Sequence, residues 1–127
     1  MIVVDTSALM AILLGEPEGA ACMDVLSTSE TLFISAGTVA EALIVADRRG
    51  CGSEMRRLID GLGFTIAPVT LASARHVAEA YARWCKGIHP ASLNFGDCFA
   101  YALANEQGSP LLFVGDDFSS TDLQPAI

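Results

Sequence analysis

The sequence predicts one α/β domain, a parallel β-sheet with helices on both faces. Three observations predict it. Short β-branched runs alternate with longer stretches of helical periodicity along the chain, which is the pattern of strand–helix–strand units. The length is 127 residues, the size of a single domain. No repeat, low-complexity stretch or linker interrupts the pattern, so residues 1–127 are expected to fold as one unit.

The elements follow in order. Ile2–Val4 reads as a buried first strand ending at Asp5. Ser7 starts a helix from Ala8 to Leu14, which Gly15 ends. Glu16-Pro17-Glu18 is expected to open a second helix to about Ser29, with proline and acids in its first turn. Leu32-Phe33-Ile34 is the second strand, followed by a helix from about Gly37 to Arg49 that Gly50-Cys51-Gly52 breaks. Ser53 is expected to cap a helix from Glu54 to Leu62, with Leu58, Ile59 and Leu62 on one stripe. Phe64-Thr65-Ile66 is the third strand, stopped by Pro68. Thr70 caps a long helix to about Lys86, and the spacing of Leu71, Ala74, Ala78, Tyr81 and Cys85 predicts its buried face. Gly87 to Asn94 is a loop, and a helix from about Phe95 to Glu106 comes next. Gly108-Ser109-Pro110 turns the chain into Leu111–Val114, the fourth strand. Gly115 to Thr121 is a loop, and the tail is expected to add a short edge strand.

Composition narrows the class. Hydrophobic residues make up 52% and charged residues 17%, enough apolar material for a core and too much for a disordered chain. Six Phe, two Tyr and one Trp leave that core mainly aliphatic. No apolar run approaches the roughly twenty residues of a membrane span. The N-terminus is not basic, and Asp5 interrupts its first apolar run, so no signal peptide is expected and a cytoplasmic location is. Cys22, Cys51, Cys85 and Cys98 form no CxxC pair, and neither His76 nor His89 has finger-like spacing to one. Free thiols are expected, without structural zinc. The net charge of −8 argues against a general nucleic-acid binder.

Certain acids are isolated. Asp5 is the one charge between Met1 and Gly15, and Glu41 the one charge between Thr31 and Ala46. Asp97 stands alone between Gly87 and Asn105, with His89 as a titratable neighbour. Asp116 and Asp117 are the only charges between Gln107 and Thr121. A carboxylate among apolar residues is costly unless it is paired, hydrogen-bonded or bound to metal. Asp5 and Asp116-Asp117 follow the carboxyl ends of predicted strands, where open α/β sheets bind ligands. Glu41 and Asp97 lie early in helices near that edge. Each has an ordinary reading too: Asp5 as a helix cap, Asp97 as a complement to a helix dipole, Asp116-Asp117 as a polar turn. Glu41 has no neighbour in sequence to pair with. Oxygen-only donors suit Mg²⁺ or Mn²⁺ and not zinc.

With those residues in place, the chain resembles PIN-domain nucleases, and more closely the VapC-type toxins of bacterial toxin–antitoxin pairs. The matching segments are Val3-Val4-Asp5-Thr6-Ser7-Ala8, Glu41, Leu93-Asn94-Phe95-Gly96-Asp97-Cys98, and Gly115-Asp116-Asp117-Phe118 with Thr121-Asp122. The resemblance implies a three-layer fold with sheet order 3-2-1-4-5. It implies a Mg²⁺- or Mn²⁺-dependent endoribonuclease that cuts tRNA or ribosomal RNA, forms a homodimer and is inhibited by a VapB-type antitoxin. By the same resemblance Asp5, Glu41, Asp97 and Asp117 are the catalytic and metal-binding acids, and Asp116 could replace Asp117. Thr6 and Ser7 are expected to orient Asp5 or a water, and Asn94 to tie the loop before Asp97.

The bases are grouped. Arg48 and Arg49, with Arg56 and Arg57, mark one helix corner. Arg75, Arg83, Lys86 and His89 follow the long helix and the loop toward Asp97. Of these, Arg48, Arg49, Arg83, Lys86 and His89 are candidates to contact RNA phosphates, against the alternative of solvated helix surface. Two other functions compete. An aspartyl-phosphate phosphohydrolase needs a lysine near the last strand, and the one lysine, Lys86, ends a helix. A catalytically silent binding module on the same fold would be expected to lack one of the acids, and all are present.

Overall fold

The computed structural model describes residues 1–127. The strands are β1 (Ile2–Val4), β2 (Leu32–Ser35), β3 (Thr65–Ala67) and β4 (Leu111–Leu112). The helices are α1 (Thr6–Leu13), α2 (Gly19–Thr28), α3 (Ala36–Arg48), α4 (Gly52–Leu62), α5 (Leu71–Trp84) and α6 (Phe95–Gln107). All strand pairs are parallel, in the order β3-β2-β1-β4. The strand order breaks beside β1, so the site where ligands are expected lies past the ends of β1 and β4.

Alternation along β1 divides the core. Ile2 and Val4 point to one face, where they pack with Leu9, Ile34, Met55 and Leu112 beneath α1 to α4. Val3 points to the other, with Trp84, Leu93, Leu103 and Leu111 beneath α5 and α6. Helices on both faces make three layers, as the sequence predicts.

Four expectations need correction. The sheet has four strands, not five. The tail pairs with β4 only through a bridge between Leu111 and Pro125, where Leu111 N donates to Gln124 O at 3.0 Å and Ala126 N donates to Leu111 O at 2.8 Å. Pro125 has no N–H with which to extend a ladder. Next, α2 starts at Gly19, and Glu16 lies in the preceding turn, where its carbonyl accepts from Gly19 N at 2.9 Å. Third, α4 starts at Gly52 with no side-chain cap, so Ser53 does not cap it. The fourth correction concerns α5, whose Thr70 cap is present but whose buried residues are Val77, Ala80 and Trp84. Leu71 is 67% exposed and Tyr81 44% exposed. The helix carries two apolar stripes, and the one bearing Trp84 faces α6 because the indole removes more surface from water, while the Tyr81 hydroxyl stays wet. The other stripe forms an open apolar groove with Val69, Phe95 and Phe99.

No helix is long and apolar enough to cross a membrane. All four cysteines are free. Burial pushes the Cys98 thiol up to about 12, beyond the reach of ordinary thiolate chemistry.

Candidate active site

β1 delivers Asp5 to the edge of the sheet, where the chain turns at once into α1. Asp5 caps that helix. Its Oδ2 accepts from Ser7 N at 3.0 Å and from Ser7 Oγ at 2.7 Å. Ser7 Oγ also accepts from Val114 N at 3.0 Å, which joins β1 to the chain leaving β4. Asp5 Oδ1 is buried and has no partner. The ordinary reading, a helix cap, therefore holds for one oxygen and leaves the other unexplained. An unpartnered carboxylate oxygen inside a protein asks for a cation or a proton.

Asp97 repeats this arrangement at α6. Asn94 caps the helix, and its Oδ1 accepts from Asp97 N at 2.9 Å while Asp97 Oδ2 accepts from Asn94 N at 3.0 Å. This capping box fixes the side chain and turns it to the sheet edge. Asn94 thus ties the approach to Asp97.

Glu41 is held differently. Thr6 Oγ1 donates to its Oε1 at 2.7 Å. Thr6 therefore orients Glu41, and Ser7 orients Asp5. The first turn of α6 completes the seat, because a Cβ on Gly96 would overlap the Glu41 carboxylate. Gly96 is a site residue that sequence reasoning missed. Its signal was a glycine in the first turn of a helix, next to a candidate acid.

These side chains line one open cavity of about 300 Å³: Asp5, Thr6, Ser7, Glu41, Asp97 and Asp117 on the polar side, with Met10, Leu14 and Val45 opposite. Asp117 reaches it and Asp116 does not, which separates the adjacent pair. Arg49 also lines it, as does Glu16, which sequence reasoning read only as a helix opener. Arg48, Lys86 and His89 do not line the cavity. His89 packs edge-on against Trp84 at 4.6 Å, and its Nδ1 accepts from Ala91 N at 3.0 Å. Arg83 stacks over the Trp84 ring at 4.3 Å and lies 3.7 Å from Asp122, so its charge is engaged within the chain.

The acids feel one another. Burial raises Asp5 to about 6 against the lowering bonds from Ser7, with Glu41 adding to the rise. Burial raises Asp97 to about 7, opposed by the Asn94 bond and reinforced by Asp5, Asp117 and Glu41. In this side-chain arrangement no three of the carboxylates stand close enough to share an ion. Asp5 and Asp97 are fixed by their caps, whereas exposed Asp117 has room to swing. The donor set is nonetheless suited to a hard divalent cation: oxygens only, one of them buried and orphaned.

Comparison with known proteins bears on the family and the fold. The PIN-domain family model matches residues 2–123. Ribonuclease VapC28 of Mycobacterium tuberculosis is 41% identical over 129 residues, covering 98% of this chain and 97% of that protein. Among solved structures, M. tuberculosis VapC20, described as a Sarcin-Ricin loop cleaving toxin, shares the fold with TM-score 0.77 at 18% identity, covering 97% of this chain and 96% of that one. A chain of a toxin–antitoxin complex from Klebsiella pneumoniae shares it with TM-score 0.71 at 17% identity, over 96% and 93%.

Proposed function

Because the chain belongs to the PIN-domain family and to its VapC ribonucleases, we propose that it is a Mg²⁺-dependent endoribonuclease toxin that cuts structured RNA, tRNA or ribosomal RNA. Mn²⁺ is the alternative ion. The observation that carries this reading is the convergence of Asp5, Glu41, Asp97 and Asp117, from four separate parts of the chain, on one cavity with an orphaned oxygen.

Asp5, Asp97, Glu41 and Asp117 would hold the ion. When bound, it supplies an acidified water and offsets charge on the phosphodiester. The chain supplies the rest. Ser7 keeps one Asp5 oxygen engaged so that the other faces inward. Thr6 and Gly96 keep Glu41 against the cavity, and the Asn94 box keeps Asp97 there. Arg49, the one basic side chain lining the cavity, is placed to meet a substrate phosphate. With a net charge of −8 the bare protein repels RNA, so productive binding depends on the ion.

The same charge suits a basic partner, and a VapB-type antitoxin occupying the groove is the inhibitor this reading supplies. The exposed apolar stripe of α5 supports a homodimer. Light scattering should read a dimer for the wild type and a monomer for Leu71→Glu; an unchanged mass would remove that face from consideration. The proposed location is the cytoplasm. The deciding experiment is cleavage of total RNA with and without Mg²⁺, with mapping of the new ends. Cleavage that needs the ion and vanishes in Asp97→Asn is expected. Full activity in chelator would sink the reading.

A further inference from the structure

We infer that Asp122 is a positioning residue for the fourth acid: by accepting a bond from Tyr101, it registers the loop carrying Asp117 against the helix carrying Asp97. This rests on the metal site proposed above.

The segment after β4 carries Asp116 and Asp117 exposed to solvent, so something else must locate it. Three anchors do. At its start, Val114 N donates to Ser7 Oγ at 3.0 Å, the same hydroxyl that holds Asp5. In its middle, Phe118 is buried to 2% exposure against Phe113, with ring centroids 5.2 Å apart. At its end, Tyr101 Oη donates to Asp122 Oδ1 at 2.6 Å.

The third anchor has a particular address. Tyr101 is four residues after Asp97 on α6, so the two share a helix face. Tyr101 is 4% exposed, packed against Trp84, and its bond to a carboxylate is short and charge-assisted. Arg83 stands 3.7 Å from the other Asp122 oxygen and offsets the charge. Between Asp117 and Asp122 little slack remains. Ser119 N donates to Asp116 O at 3.1 Å, Thr121 N to Phe118 O at 3.1 Å, and Leu123 N to Thr121 Oγ1 at 3.3 Å. A shift at Asp122 therefore travels to Asp117. The bond lies outside the cavity, and its role is to set the spacing between two acids within it.

The test is Mg²⁺ binding by titration calorimetry, read beside the melting temperature. Asp122→Ala and Tyr101→Phe should each weaken Mg²⁺ binding roughly tenfold, the usual scale for residues that orient a ligand. The double variant should be no weaker than either single one, because both remove one bond. Asp122→Asn keeps an acceptor for Tyr101 while losing the charge on that bond and an exposed ion pair, so it should recover most of the Mg²⁺ affinity that Asp122→Ala loses. Unshifted Mg²⁺ affinity in Tyr101→Phe, whatever its melting temperature, would overturn the inference, as would failure of Asp122→Asn to rescue. Wild-type protein that takes up no Mg²⁺ would overturn the metal site and this inference together. Wild-type binding with unshifted variants would overturn the inference alone.

Discussion

Two of the four acids are fixed by bonds to residues two or three positions away, and two depend on distant parts of the chain. Asp5 and Asp97 are buried helix-terminal residues, each with one oxygen spent on a cap. Glu41 leans on Thr6 and Gly96, and Asp117 rides on a loop. The first pair is rigid and has raised pKa values; the second is placed by contacts made across the fold. The site is thus half preformed. The difference teaches that a local motif can fix a ligand's direction, while bringing ligands together requires tertiary contacts.

The comparison can be broken at several points. The largest effect is expected from Asp97→Asn, which should lose cleavage by roughly a hundredfold or more, the scale of removing a group that acts at the reacting centre. Asparagine still accepts from Asn94 N and carries no charge, so its melting temperature at pH 8 should equal or exceed that of wild type. A large drop in melting temperature would show that Asp97 is structural. Gly96→Ala comes next. The added methyl must displace Glu41, so cleavage should fall roughly tenfold and more Mg²⁺ be needed, on the scale of losing a ligand-orienting contact. Alanine is the better helix former by about 1 kcal/mol, so helicity by circular dichroism should hold. Wild-type kinetics in this variant would free Glu41 from its assigned seat.

The pH dependence follows from the raised values of Asp5, about 6, and Asp97, about 7. Without metal, the folded protein binds these protons more tightly than the unfolded chain does. Their contribution to stability is therefore full below about 4, near the unfolded value, and is lost as pH rises through 6 and 7. Metal needs the ionised forms, so the rise in melting temperature on adding Mg²⁺ should be small at pH 5.5 and larger at pH 7.5. An equal rise at both would separate the ion from these two groups. The smallest effect is expected from Arg49→Gln, a several-fold increase in KM for RNA with kcat little changed, the mark of lost ground-state binding. Arg83→Gln should leave KM alone, since its guanidinium is occupied by Asp122 and Trp84. The reverse ranking would relocate the RNA path to α5.

The rigid half of the site was the legible half. Asp5 and Asp97 announced themselves as lone charges in apolar runs at element boundaries, because local chemistry created both the boundary and the burial. Glu41 was legible as a misfit, but its Thr6 partner lies 35 residues away and carries no sequence signal. The choice between Asp116 and Asp117 depends on the phase of one loop turn, which adjacent identical residues conceal. The buried face of α5 was misread because spacing at three and four admits both of its stripes. Only packing against α6, which the periodicity of α5 does not encode, selects Trp84 over Tyr81. The fifth strand was expected where a proline leaves just one bridge. Gly96 stood in a matching segment with no role of its own, because its role depends on the Glu41 carboxylate lying in the space a methyl would fill.

The hydroxyl of Ser7 joins the opening of the chain to residue 114. It ties together assembly of the fold and onset of chemistry. Until residues 111–112 dock, the central strand has a neighbour on one side only, and until residue 117 follows, the cavity lacks its fourth carboxylate. On the proposed site, the docking of residues 111–117 therefore completes the sheet and the carboxylate set in one step.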